Sequence, residues 1–288
     1  MFRLLRPACV AAVLGVALIS LATPPVSAQG PRMTADRLAQ LASKPTPRLG
    51  EHPDLNGTWD HLGGIEFVQP RKLENGSVCI IGCPPAPGAG AGRAGGPSPV
   101  AAGTAFPKYK PEFAAKVKDL DQRQVEMDTV LKCQAPGVPR IGPPQKIVQN
   151  GREVVFLYDD VSGGFFRIVP TDGRGHRKDV PASYLGDAVA HWEGDTLVVE
   201  TTNFNEETWL TDNGAFHTKD LKVVERLRRI GDTIEYQAVA TDPAVLAEPW
   251  TLQPQRLWIT NQEMEEPARC EDRDLEHIVD GSHHTNPR

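Results

Sequence analysis

The densest run of chemically capable side chains lies between Thr171 and Tyr184, which holds Asp172, Arg174, His176, Arg177, Asp179 and Tyr184. Imidazole titrates near neutral pH, so His176 can act as a general base, and Asp172 or Asp187 is the carboxylate that would orient its ring. Arg174 suits an anionic group on a ligand, and the Tyr184 hydroxyl can donate to a developing oxyanion. The same residue types also build an ordinary solvated loop of aspartate-to-backbone bonds and surface ion pairs, and the sequence leaves both readings open. A second grouping joins His217 to Glu225 and Asn203. A histidine and a carboxylate at the mouth of a barrel would transfer protons, whereas Glu225 paired across strands with an arginine would be structural. Trp192 and Trp209 either line a pocket for an apolar ligand or fill the core of a sheet.

Other chemistries lack their patterns. His176, His191 and His217 show no H-x-H or H-x3-H spacing, so no metal is expected. Val161-Ser162-Gly163-Gly164 lacks the leading glycine of a nucleophile elbow, and the glycines from Gly88 to Gly96 follow no strand, so neither a phosphate loop nor a bound cofactor is expected. A formal net charge of −6 argues against a nucleic-acid surface, which depends on neutralising phosphates.

The beginning of the chain sets the expected compartment. Arg3 and Arg6, an apolar stretch from Ala8 to Ala22, and Val26-Ser27-Ala28 before Gln29 have the form of a cleavable export signal over residues 1–28. The apolar stretch falls short of the roughly 20 residues that span a bilayer. A periplasmic or secreted protein is therefore expected, with no integral membrane association after cleavage. Four cysteines follow the signal, Cys79, Cys83, Cys133 and Cys270, an even number that in an exported chain favours disulfides. The short Cys79–Cys83 spacing suits a local ring, which leaves Cys133 with Cys270 as a long-range staple.

The elements that must position these groups follow from periodicity. Residues 29–53 contain a short helix over Thr34–Ser43 and a proline-rich linker, and residues 54–83 contain the first strand, Leu55–His61. Residues 84–107 are Gly, Pro and Ala with little to bury, which predicts a disordered loop. Within residues 108–281, Phe113, Val117, Leu120, Met127 and Leu131 share one helical face, predicting a helix over Pro111–Lys132. Short alternating strands follow: Val154–Tyr158, Phe165–Val169, Ala188–Trp192, Thr196–Thr202, Leu221–Ile230, Thr233–Thr241 and Trp250–Ile259, the last carrying Pro254 at an edge or bulge. Residues 282–288 are a tail. About eight strands with tight turns predict an all-β fold, an antiparallel barrel or a sandwich with one or two peripheral helices. Alternation puts Glu225 on the apolar side of its strand with Leu221, Val223 and Leu227, where a carboxylate needs a partner. It also puts Asn203 at the rim, in step with Leu197, Val199 and Thr201.

Two resemblances follow from longer motifs. Thr171-Asp172-Gly173-Arg174-Gly175-His176, Ser183-Tyr184-Leu185-Gly186-Asp187, Trp192-Glu193-Gly194-Asp195-Thr196-Leu197-Val198-Val199, Asn203-Phe204-Asn205, Thr208-Trp209-Leu210, His217, Val224-Glu225-Arg226 and Pro249-Trp250-Thr251 follow one another in order. Together they resemble a family of exported bacterial proteins of unassigned function, over about Pro107 to Gly281. The chain departs from that family at Glu271, where a histidine is usual, and at His191, where an arginine is usual. The resemblance implies an exported protein and no reaction. Gly57-Thr58-Trp59 is similar to the G-x-W opening of lipocalins, which implies a barrel architecture alone. The function expected is binding of a small, partly apolar molecule in a barrel pocket. The alternatives are an enzyme using His/carboxylate acid-base chemistry for hydrolysis, isomerisation or elimination, and an envelope scaffold that binds another protein.

Overall fold

The structure is a computed structural model that describes residues 33–61, 71–72, 78–79, 104–160 and 162–266. The expected export signal, most of the Gly/Pro/Ala-rich stretch and the tail lie outside these residues. Nine strands form one continuous sheet: β1 (Gly57–His61), β2 (Lys146–Gln149), β3 (Glu153–Asp160), β4 (Gly163–Pro170), β5 (Asp187–Glu193), β6 (Thr196–Thr202), β7 (Lys222–Ile230), β8 (Thr233–Thr241) and β9 (Gln255–Thr260). Their order across the sheet is β4-β3-β2-β1-β9-β8-β7-β6-β5, and each neighbouring pair is antiparallel. The two end strands, β4 and β5, lie alongside each other, so the sheet curls into a nearly closed barrel and not a sandwich. Because the strand number is odd, β4 and β5 run in the same direction and cannot complete the antiparallel ladder. A parallel neighbour must be reached by a long return connection. Residues 171–186 make that return, and this places the polar Thr171–Tyr184 loop directly at the barrel's seam.

Alternation builds the core. On β7, Val223, Glu225, Leu227 and Arg229 are buried while Lys222, Arg226 and Arg228 are exposed, as the sequence pattern predicts. Trp59, Phe156, Tyr158 and Tyr236 are among the largest fully buried side chains, and they pack between the walls. The Trp59 indole donates to Leu55 O (3.0 Å), and Arg229 lies 5.0 Å over its ring, so the G-x-W tryptophan is core.

Three expected elements are corrected. Among the described residues the barrel sheet runs through nine strands where about eight are predicted, because β2 (Lys-Ile-Val-Gln) buries only Ile147 and Gln149 and so looks too polar to read. Gln149 is tolerated inside because its Oε1 accepts from Leu55 N at 2.6 Å. The strand expected over Trp250–Ile259 is split by Pro254 into a short Trp250–Thr251 segment paired with β8 and the longer β9. The single helix expected over Pro111–Lys132 is broken into a 3-10 turn, α2 (Ala114–Gln122), a single turn at Gln124–Met127 and a second 3-10 turn. Arg123 leaves helical angles there (φ −116°, ψ 34°), and Asp128 turns extended so that its carboxylate reaches the buried Arg140. The first helix, α1 (Ala35–Ala42), forms with Thr34 as its N-cap, accepting from Arg37 N. Among the described residues no helix is long and apolar enough to cross a membrane.

Candidate functional site

The seam loop is pinned to the barrel at two places. Asp187, the first residue of β5, accepts from the Arg177 backbone N–H (3.0 Å) and the Arg177 Nε–H (2.5 Å), and its Oδ2 lies 3.0 Å from His176 Nδ1. Burial pushes the Asp187 pKa up, but these bonds outweigh it and hold the carboxyl below its ordinary value. The second pin is Asn203, whose positive φ of 58° aims its side chain back at the loop, where Nδ2 donates to the carbonyls of Val180 and Pro181 at 3.2 Å each. Gly186 has φ 68°, and a Cβ there would stand 2.6 Å from Thr202 O, so the loop re-enters the sheet in a conformation that glycine makes accessible.

Between this loop and the seam lies a cleft of about 580 Å³. Phe165, Phe166, Ile168, Leu185 and Val189 supply apolar walls, and Arg174, Arg177, Ser183, Tyr184 and Asp187 supply polar ones. Phe166 and Ile168 are 63% and 53% exposed and alternate with buried Arg167 and Val169, so the cleft opens on the outer surface of the barrel. Arg174 pairs through Nε and Nη2 with Asp172, and Arg177 pairs through Nε with Asp187. Nη1 of Arg174 and both Nη groups of Arg177 keep their protons available to solvent among the described residues. Tyr184 donates to Glu207 at 3.1 Å, and partial burial together with that carboxylate raises its pKa.

The barrel interior holds a different polar group. Arg167 Nη2 donates to Glu225 Oε2 (2.6 Å) and Thr201 Oγ1 (2.7 Å), its Nη1 donates to Tyr158 OH (3.1 Å), and Tyr236 OH donates to Glu225 Oε1 (3.0 Å). Glu225 is fully buried and Arg167 is 5% exposed. Burial raises both tyrosine pKa values, so both hydroxyls stay protonated. Glu225 therefore takes the cross-strand arginine of its structural reading.

The other sequence-derived groupings separate. His217 does not meet Glu225 or Asn203; its Nε2 lies 2.7 Å from Thr208 Oγ1 and its Nδ1 is 2.9 Å from Thr218 O, a carbonyl that requires the Nδ1 proton, and burial favours the neutral ring. Asp172 is drawn to Arg174 and away from His176, and its carboxyl sits well below the ordinary range because of the bond from Arg174. Trp192 stacks on His52 (centroids 4.5 Å apart), and Trp209 is buried beneath Arg140, so neither lines the cleft. Of the residues singled out, Arg174, Arg177, Tyr184 and Asp187 line the cleft, and His176 stands beside it through Asp187. Sequence reasoning missed Phe165, Phe166, Ile168 and Leu185, because the apolar wall only becomes a site once the return loop covers the seam. It also missed Arg140, which donates to Asp128 through both Nη groups and to Asp212 through Nε, all at 2.7 Å.

Cys133 is disulfide-bonded, while Cys83, Cys270 and the side chain of Cys79 lie outside what is described, so the expected pairings are not seen. Among the described residues no cluster of His, Cys, Asp or Glu is placed to hold a metal ion. No family model, curated protein or solved structure matches the chain.

Burial lowers the His217 pKa from its ordinary 6.5, so the unfolded chain takes up this proton more readily than the folded one. The contribution to stability is thus fully present above about pH 6.5 and is lost as pH falls through the folded value. A slope of up to about 1.4 kcal/mol per pH unit is expected in that window. Urea unfolding from pH 7.5 to 5 should show this fall in the wild type and a flatter profile in His217→Gln; parallel profiles would exclude it.

Proposed function

We propose that the protein binds a small, partly apolar molecule in the cleft over the β4–β5 seam. The observation that supports this is the meeting of Phe165, Phe166, Ile168, Leu185 and Val189 with the available guanidinium protons of Arg174 and Arg177 in one opening of about 580 Å³, a size common for ligand sites. The barrel interior is a less suitable place, because Trp59, Phe156, Tyr158, Tyr236 and the Arg167–Glu225 pair occupy it. Export to the periplasm or medium, through a signal over residues 1–28, belongs to the same reading, as does a Cys133–Cys270 staple. Native mass spectrometry of protein purified from the envelope of the producing cell is expected to show a retained small organic molecule that is lost in Leu185→Asp, which puts a charge into the apolar wall. Retention of the same adduct by Leu185→Asp would overturn the location.

An acid-base enzyme is the second reading, and the 3.0 Å contact of His176 Nδ1 with Asp187 supports it. A carboxylate in that position fixes the tautomer and leaves Nε2 as the basic nitrogen. If the bound molecule is converted, His176→Gln should remove turnover while leaving its affinity within about two-fold; unchanged turnover would reject the enzymatic reading.

A further inference from the structure

The apolar surface does not stop at the cleft. Ile168 on β4 stands opposite Val155 on β3, which stands opposite Val148 on β2, and Phe166 stands opposite Leu157. Phe166, Ile168 and Val148 are 63%, 53% and 44% exposed, on a face of the sheet where a soluble barrel would ordinarily carry polar side chains. The row from Ile168 to Val148 crosses two strand spacings, about 10 Å, and begins at the cleft wall. At the other side of that wall stand Arg174 and Arg177, whose side chains are 52% and 66% exposed.

Resting on the cleft reading above, we infer that the ligand is an elongated anionic amphiphile. Its carboxylate or equivalent head meets Arg174 and Arg177, and its single alkyl tail leaves the cleft over Phe166 and Ile168 and lies along Val155 and Val148. Two features of the surface argue for this occupant: the guanidinium groups of Arg174 and Arg177 at the cleft, each also paired with a carboxylate, Asp172 or Asp187, and an apolar row continuous with the cleft. A compact apolar ligand would use the cleft and leave the row unexplained.

The test is calorimetric titration of straight-chain alkanoates, butanoate to decanoate, kept monomeric. Each methylene added beyond the cleft should tighten binding about two- to four-fold, the range for partial to full burial. The double variant V148T/V155T keeps the β-branched shape that suits a strand and adds hydroxyls to the row. It should bind butanoate and hexanoate like the wild type and lose the gain at octanoate and decanoate. Its unfolding midpoint, measured alongside, separates loss of the row from loss of the fold. Binding that is independent of chain length would overturn the amphiphile and leave the cleft reading standing. If neither alkanoates nor short aryl carboxylates bind, both readings fall. Co-sedimentation with phosphatidylglycerol vesicles without any binding of monomeric decanoate would also overturn the inference, in favour of docking on a lipid surface.

Discussion

Glu225→Ala is expected to cost about 3–5 kcal/mol of stability, seen as a large drop in the urea midpoint of unfolding. The carboxylate is fully buried and is the charge partner of Arg167, whose side chain is 3% exposed. Truncation leaves a guanidinium in the barrel with Thr201 and Tyr158 as its remaining partners, and leaves Tyr236 OH without an acceptor. Arginine stays protonated across the accessible pH range, so lowering the pH cannot relieve this loss. Replacing both members, R167M/E225L, removes the unpaired charge and should recover most of the stability, since a buried ion pair and an apolar pair of similar volume are often close in energy. Equal destabilisation in the single and double variants would show that the site depends on shape and not on charge.

Arg140→Ala is expected to have a comparable effect, about 3–5 kcal/mol, with the opposite response to pH. Arg140 holds Asp128 and Asp212, and all three side chains are 4% exposed or less. Burial alone would lower the Arg140 pKa, but the two carboxylates outweigh it and keep the guanidinium charged. Without it, two buried carboxylates lose their common counter-ion, so acidification, by neutralising them, should narrow the gap between variant and wild type. Asp128 also caps the 3-10 turn at Thr129–Lys132 through Val130 N, so the variant should loosen the segment that carries Gln134 and Ala135 to the cleft. Unfolding curves at pH 7 and pH 5 check both statements, and a gap that widens on acidification would contradict them.

Much of the fold was legible because period-two alternation survives wherever one face is buried. Val223, Glu225 and Leu227 declare the inside of β7, and a carboxylate among them announces by its position alone that a cation must face it. The identity of that cation is a long-range fact. Arg167 lies 58 residues away, and only closure of the barrel brings β4 opposite β7. The same limit explains β2, where Gln149 breaks the alternation because its partner, Leu55 N, comes from the far side of a long insertion. The cleft was half legible. Arg174 and Tyr184 belong to one polar loop that ends at Asp187 and could be read from composition, whereas nothing in the Phe165–Val169 pattern tells that Phe166 and Ile168 face outward while Arg167 between them is buried. Their role follows from strand parity, because nine antiparallel strands leave β4 and β5 parallel and force residues 171–186 back across the seam. The pairing of His217 with Glu225 failed for a related reason. Both flank neighbouring elements, but His217 lies in the connection between β6 and β7 and is held there by Thr208 and Thr218.

The location of binding is tested most directly by hydrogen exchange, read peptide by peptide, with and without saturating octanoate. Slower exchange at residues 163–170 and 172–189, reaching into β2 and β3 around Val148 and Val155, is the expected result, because those amides form the strand and the loop on either side of the cleft and the row along which the tail lies. Slower exchange in β7 and β8 with none at the seam would place the ligand inside the barrel and contradict a site on its outer surface.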